Sequence, residues 1–169
     1  YGSGGSGSPQ HIAMALFAQR TGIDLVHVPY KGATPAAIAA AAGQVEVSYQ
    51  GLGTVTSLIQ GGKLRLLAVS TSERLAQYPN VPTIVQAGIS DFFFNSWFAM
   101  IAPAGTPKPI IDKLNAEMQK ALTDAQTRER LIGLGVTIRG TSAAEFQQAT
   151  EKQYALYGKL IKDNKIQAD

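Results

Sequence analysis

A glycine-rich stretch that leads directly into a helix most constrains the start of this 169-residue chain. Residues 2–8 contain four glycines and three serines, and Pro9 follows them. Glycine lets the backbone adopt φ > 0, Ser8 is a favoured N-cap, and Pro9 suits the first helical position. Because a helix N-terminus presents unpaired N–H groups and a positive dipole end, it favours an anion. We therefore expect this stretch to be an ordered loop that binds a polar or anionic ligand. The loop residues are Ser3, Gly4, Gly5, Ser6, Gly7 and Ser8. The alternative is that the stretch is only a flexible linker.

Strands and helices alternate through the next part of the chain. Apolar runs predict strands at residues 25–30, 45–49 and 64–70, and helices between them at residues 35–42 and 54–60. This order is typical of right-handed βαβ units, so the predicted fold class is α/β with a mainly parallel sheet and buried strands. Parallel sheets bind ligands at the carboxyl ends of their strands, where the glycine loop, Lys31-Gly32 and Gln50-Gly51 are expected to converge.

The second half of the chain predicts an aromatic strand followed by helices. Residues 92–101 are the strand, and we expect Trp97 to pack between layers of the core, with the lining of a ligand pocket as the alternative. Apolar stripes predict a helix after Pro107, a second helix from Asp124, and a short strand at residues 136–138. A capping box formed by Ser142 and Glu145 predicts the start of the last helix. We interpret these stripes as faces of the core.

Composition excludes several classes of function. The chain has 45 % hydrophobic and 16 % charged residues and a net charge of +3, without a basic tract, so nucleic acid is not an expected partner. No apolar run of about 18 residues is present, so we expect no direct membrane insertion. The absence of cysteine excludes thiol catalysis and thiolate metal sites, and the spacing of His11 and His27 fits no metal motif.

The tests for catalytic chemistry are mostly negative. The glycines formally match the dinucleotide-binding pattern G-x-G-x-x-G, but only Tyr1 precedes them, and Asp24 begins the next strand instead of ending it. The nucleophile-elbow pattern is absent, and Asp24 and Glu46 do not form a carboxylate pair at the predicted site. We expect no cofactor and no enzymatic activity. A nucleotide-binding α/β enzyme that uses the Gly2–Gly7 loop remains the alternative.

Several segments resemble one protein family in the same order along the chain. They include His27-Val28-Pro29-Tyr30-Lys31-Gly32, Gly43-Gln44-Val45-Glu46-Val47 and Pro79-Asn80-Val81-Pro82-Thr83, together with the glycine-rich start. Nearly the whole chain resembles the substrate-binding proteins of tripartite tricarboxylate transporters, the Bug proteins. The resemblance implies the type II periplasmic-binding-protein fold, in which two lobes of mainly parallel sheet are flanked by helices. It also implies a periplasmic protein that captures a small carboxylate for the membrane permease subunits of the transporter.

The resemblance further implies that the fold is incomplete here, because family members are longer. Residues 1–94 would be most of the second, ligand-binding lobe, lacking its upstream part. Residues 95–169 would be the crossover strand and the C-terminal part of the first lobe, and faces left uncovered predict self-association. The ligand contacts that the resemblance implies are Ser3, Gly4, Gly5, Ser6, Gly7, Ser8, Tyr30, Lys31, Gly32 and Gln50. Gln50 departs from the family, which usually has an acidic residue at this position. A domain that senses a ligand without transporting it is a second alternative.

Overall fold

The computed structural model of the protein describes residues 1–90, 92, 94 and 96–167. Its elements in chain order are β1 (Gly2–Ser3), α1 (Pro9–Thr21), β2 (Val28–Pro29), α2 (Ala33–Ala41), α3 (Leu52–Gln60), α4 (Lys108–Thr123), α5 (Ala125–Gly133) and α6 (Ala143–Asp163). The chain divides into two compact units. Unit 1 comprises Tyr1–Ser96 and Leu156–Asp169, and unit 2 comprises Trp97–Ala155. The predicted division into lobes at residues 1–94 and 95–169 stays a prediction.

The sheet of unit 1 is parallel, as the α/β pattern predicts. β1 pairs with β2 so that Gly2 lies opposite Val28, and Gly2 also forms a parallel bridge with Ser48 on its other side. β1 therefore lies between its two partners. The prediction that residues 25–30 are buried is wrong, because both residues of β2 are exposed and the Val26 side chain is 78 % exposed. Within the described sheet, β2 pairs with β1 alone, so its other edge has no neighbouring strand there.

The helices of unit 1 begin and end close to their predicted positions. α1 begins after Ser8, whose hydroxyl accepts a hydrogen bond from the backbone N–H of His11 at 3.3 Å. This confirms the predicted N-cap and the position of Pro9. α2 begins two residues earlier than predicted and is followed by Gly43, whose φ of 73° lies in the left-handed region that suits glycine.

The core of unit 1 joins α1 to aromatic residues from later in the chain. Ile12, Ala13 and Leu16 of α1 form a buried cluster with Ile84, Phe92, Phe94 and Leu160. The Tyr49 ring packs edge-on against Phe94, and burial raises the pKa of its phenol. The aromatic segment therefore contributes to the core at positions 92 and 94. The prediction of a strand over residues 92–101 is wrong for residues 92, 94 and 96–101, where no strand forms, and residues 93 and 95 lie outside the described residues. The predicted buried strand at residues 64–70 is wrong, because Val69 makes a single bridge with Thr83 and Leu67 is 59 % exposed.

Unit 2 contains α4, α5 and the first part of α6. The capping box is confirmed, since Ser142 N–H donates to the Glu145 carboxylate at 2.8 Å and Glu145 N–H donates to the Ser142 hydroxyl at 3.2 Å. These hydrogen bonds lower the pKa of Glu145. The apolar stripes are not core faces in unit 2, because no side chain of α4 or α5 is buried. The predicted strand at residues 136–138 does not form.

Trp97 is also more exposed than predicted. It is 48 % exposed, packs edge-on against Phe146 with ring centroids 5.0 Å apart, and donates its indole N–H to Gln153. Among the described residues, no helix combines the length and the apolar character needed to cross a membrane.

Candidate functional site

The three turns predicted to converge lie together at one edge of the unit 1 sheet. Tyr30 N–H donates to the Ser3 carbonyl at 3.0 Å, and Gly32 N–H donates to the Gly4 carbonyl at 3.2 Å. On the other side of β1, Gly2 N–H donates to the Val47 carbonyl at 3.0 Å. Because these strands are parallel, their carboxyl ends meet at the same edge, and the glycine loop, residues 30–32 and Gln50 all follow there.

The N-termini of three helices point to this same edge. α1, α2 and α3 begin at Pro9, Ala33 and Leu52, directly after the three turns. Ser8 caps α1, whereas the N-cap residues of α2 and α3 are Gly32 and Gly51, which have no side chain to accept from the first N–H groups. The positive ends of the helix dipoles and the N–H groups of α2 and α3 therefore favour an anion at this edge.

The glycines are required at this edge for two different reasons. Gly5, Gly7 and Gly32 have φ values of 125°, 73° and 116°, which residues with a Cβ rarely adopt. Gly4 is required for close approach instead, because a Cβ there would lie 3.1 Å from the Ala33 nitrogen and 3.2 Å from the Gly32 carbonyl carbon. The loop is therefore a defined backbone structure packed against the start of α2, rather than a flexible linker.

Replacing Gly4 with alanine should destabilise unit 1 by about 1–3 kcal/mol, the usual scale for overpacking a close contact. The added Cβ meets backbone atoms, which cannot swing aside as the end of a side chain can. Thermal unfolding of Gly4→Ala measures the loss. Gly158→Ala is the matched control, because Gly158 lies within α6 and a Cβ there meets nothing within 4 Å. An equal melting temperature for Gly4→Ala and the wild type would contradict the close packing.

Tyr30 and Lys31 differ in their packing, since Tyr30 lies against the central strand and Lys31 is exposed. The Tyr30 ring packs beside Gly2, with its Cε2 atom 3.5 Å from the position that a Gly2 Cβ would take. The Lys31 side chain is exposed beside the turn. Tyr30 thus supports the central strand, and Lys31 is the cationic group adjacent to the loop.

Gln50 has a fixed amide orientation. The Ser48 hydroxyl donates to the Gly2 carbonyl at 2.7 Å, so its oxygen is left to accept from Gln50 Nε2 at 2.8 Å. The Gln50 Oε1 atom is consequently turned away from Ser48, and it is buried without a hydrogen-bond partner in the described part of the chain. A buried acceptor without a partner is costly, so this oxygen is suited to receive a donor from a ligand.

Two histidines that the sequence analysis did not connect lie beneath the loop. The rings of His11 and His27 stack with centroids 3.7 Å apart, and Tyr1 stacks on His27 at 5.0 Å. Both histidines are half-buried. No periodic pattern links positions 16 residues apart in different elements, so this contact could be found only in three dimensions.

Unit 2 has two shallow grooves of its own. One runs along α6 and is lined by Ala143, Phe146, Gln147, Thr150, Glu151 and Tyr154. The other lies between α4 and the capping box of α6 and includes Lys108, Asp112 and Ser142. None of the predicted contact residues lines either groove, and the Lys108 ammonium already pairs with the Asp112 carboxylate at 2.6 Å. The sheet edge of unit 1 therefore remains the candidate site.

An α/β unit with helix N-termini at the ends of parallel strands is typical of proteins that bind small anions. Residues 1–166 match the family described as the tripartite tricarboxylate transporter family receptor, and the chain belongs to this family. It is 32 % identical to the "UPF0065 protein in tcbD-tcbE intergenic region" of Pseudomonas sp. (strain P51), over all of this chain and 51 % of that protein.

Solved structures show the same similarity. R. palustris Rpa4515 with adipate matches with a TM-score of 0.92 and 32 % identity over 98 % of this chain and 56 % of that one. The periplasmic binding protein BugD matches with a TM-score of 0.88 and 30 % identity, over 99 % of this chain and 57 % of that one. MatC (Rpa3494) from Rhodopseudomonas palustris with bound malate matches with a TM-score of 0.81 and 30 % identity, over 92 % of this chain and 54 % of that one.

The comparisons establish the fold and the kind of protein. The fold is that of the periplasmic binding proteins, and the chain spans about half the length of the relatives described above. The family and its solved structures are substrate-binding proteins, not enzymes, so the alternative of a nucleotide-binding enzyme is set aside.

Proposed function

We propose that this protein captures a small dicarboxylate in the periplasm and delivers it to the membrane permease subunits of a tripartite tricarboxylate-type transporter. The gathering of three helix N-termini around the glycine–serine loop is the observation on which the proposal chiefly rests. None of the ten proposed contact residues is acidic, so nothing among them repels a carboxylate. The contacts are Ser3, Gly4, Gly5, Ser6, Gly7, Ser8, Tyr30, Lys31, Gly32 and Gln50.

Two related structures that hold ligands support a dicarboxylate. One contains adipate and the other contains malate, which share two carboxylates and differ in length and in the hydroxyl of malate. In this chain one carboxylate would accept hydrogen bonds from the loop and the start of α2. The Oε1 atom of Gln50, which has no hydrogen-bond partner among the described residues, favours a ligand that can also donate a hydrogen bond to it, through a hydroxyl or a bound water.

Isothermal titration calorimetry on the complete gene product tests the ligand class. We expect adipate or malate to bind at least tenfold more tightly than hexanoate, which matches adipate in length but has a single carboxylate. AMP serves as the nucleotide control and should bind more weakly than both dicarboxylates. Equal affinity for hexanoate and adipate, or tighter binding of AMP, would contradict the proposal.

A second experiment tests the transport role. Affinity purification from membranes, with malate or adipate present, should recover permease subunits with the tagged complete gene product. Recovery of a sensor kinase in place of the permease would support the ligand-sensing alternative and overturn delivery to a transporter.

A further inference from the structure

We propose that the stacked imidazoles of His11 and His27 are positioning residues, which hold the glycine-rich loop in the conformation that binds the ligand. This inference rests on the proposed function, because it assigns a role to residues beneath the proposed site. Each ring makes a hydrogen bond to a different part of the loop, and the two rings stack on each other. Together they connect the start of the loop to its end.

His11 fixes the end of the loop. Its Nδ1 atom accepts a hydrogen bond from the Gly7 N–H at 3.2 Å, while its own backbone N–H donates to the Ser8 hydroxyl at 3.3 Å. Gly7 lies in the left-handed region, a conformation that a flexible glycine leaves easily unless hydrogen bonds retain it. Because Nδ1 accepts here, the neutral ring has its proton on Nε2.

His27 fixes the start of the loop through Ser3. Its Nε2 atom lies 2.6 Å from the Ser3 hydroxyl, and the Ser3 side chain is fully buried. The same hydroxyl accepts from the Gly5 N–H at 3.2 Å and lies 3.1 Å from the Gly5 carbonyl. The rotamer of Ser3 therefore determines the first turn of the loop, and His27 determines that rotamer.

Ring stacking couples the hydrogen bond of His11 with Gly7 to that of His27 with Ser3. The imidazole planes of His11 and His27 are 23° apart, and the Tyr1 ring stacks on His27 at a similar angle. Burial raises the pKa of the Tyr1 phenol to about 12, so this ring is neutral where binding is measured. A displacement of one imidazole would disturb the partner of the other, so the loop responds to both residues.

Isosteric amides separate the hydrogen bonds from the bulk of the rings. An asparagine amide oxygen reaches the position of imidazole Nδ1, whereas a glutamine amide reaches that of Nε2. His11→Asn therefore retains an acceptor for Gly7, and His11→Gln displaces it. At the other ring the order is reversed, because His27→Gln retains the partner of Ser3 and His27→Asn does not.

Two measurements on the complete gene product test the proposal. Calorimetry with malate and adipate should show a loss of tenfold or more for His11→Gln and His27→Asn, with His11→Asn and His27→Gln rescuing most of the affinity. Amide hydrogen exchange without ligand should be at least tenfold faster at Gly7 in His11→Gln and at Gly5 in His27→Asn. Faster exchange with unchanged affinity in His11→Gln and His27→Asn would overturn the role in binding. Equal affinity of the Gln and Asn variants at each histidine would overturn it as well.

Hydrogen exchange distinguishes a failure of the two histidines to hold the loop from a failure of the protein to bind a dicarboxylate. If the wild-type protein binds neither dicarboxylate, the proposed function fails, whereas exchange at Gly5 and Gly7 still reports whether the rings hold the loop. General unfolding would speed exchange across α1 and α2 in both members of a pair. An increase confined to the loop, in the displacing variant alone, supports the positioning role.

Discussion

Replacing Gln50 with glutamate should weaken the binding of malate or adipate to the complete gene product by about 5- to 150-fold. This range corresponds to the roughly 1–3 kcal/mol cost of a mispaired buried polar group. The substitution keeps the shape of the side chain but removes the donor that Ser48 accepts from, and it adds a negative charge next to the proposed carboxylate site. Calorimetry with each dicarboxylate measures the effect.

A matched charge change elsewhere separates local repulsion from a change in net charge. Gln44→Glu adds the same charge at an exposed position beyond the C-terminal end of α2, away from the edge where the helices begin. We expect this control to change the affinity less than twofold. Unchanged affinity in Gln50→Glu, or equal losses in both variants, would remove Gln50 from the site.

The isolated 169-residue chain should self-associate at micromolar concentration. The segment after Ser96 exposes large apolar side chains, with Phe98 93 % and Ile101 84 % exposed, and α4 and α5 bury no side chain. Exposed apolar faces of this kind favour association, because each Phe or Ile removed from water contributes about 1.5–3 kcal/mol. Light scattering coupled to size-exclusion chromatography should show a dimer or a larger species.

The double variant Phe98→Ser, Ile101→Ser should raise the dissociation constant of that species at least tenfold. Tyr154→Ser is the matched control, because Tyr154 is 83 % exposed in the same unit but lies on α6. A wild-type chain that stays monomeric at high concentration would refute the prediction. An equal effect of the control would show that association does not involve residues 98–101.

Local chemistry predicted the parts of the fold that depend on neighbouring residues. Ser8 and Pro9 indicate the start of α1, Gly43 the end of α2, and the capping box of Ser142 and Glu145 the start of α6. Each of these signals depends on residues within one turn of helix, so its effect does not require a particular tertiary neighbour. The order of strands and helices likewise predicts the parallel α/β sheet, and with it the edge where the turns meet.

Burial could not be predicted in the same way, because it depends on what packs from elsewhere. The apolar runs at residues 25–30 and 64–70 have the composition of buried strands, yet Val26 and Leu67 are largely exposed. The stripe on α4 shows which face is apolar but not whether a partner covers it. The pairing of His11 with His27 and the orientation of Gln50 fixed by Ser48 are similarly tertiary contacts, without a signature in the sequence.

Amide chemical-shift mapping on the isotope-labelled complete gene product tests most directly whether a carboxylate binds at the edge of the unit 1 sheet. On titration with malate or adipate, we expect the largest shifts at residues 4–8, at the first turn of α2, and at residues 50–52. Saturation should follow one dissociation constant, equal to the calorimetric value. Saturable shifts concentrated along residues 143–154 of α6, with the loop unaffected, would contradict binding at the edge of the unit 1 sheet.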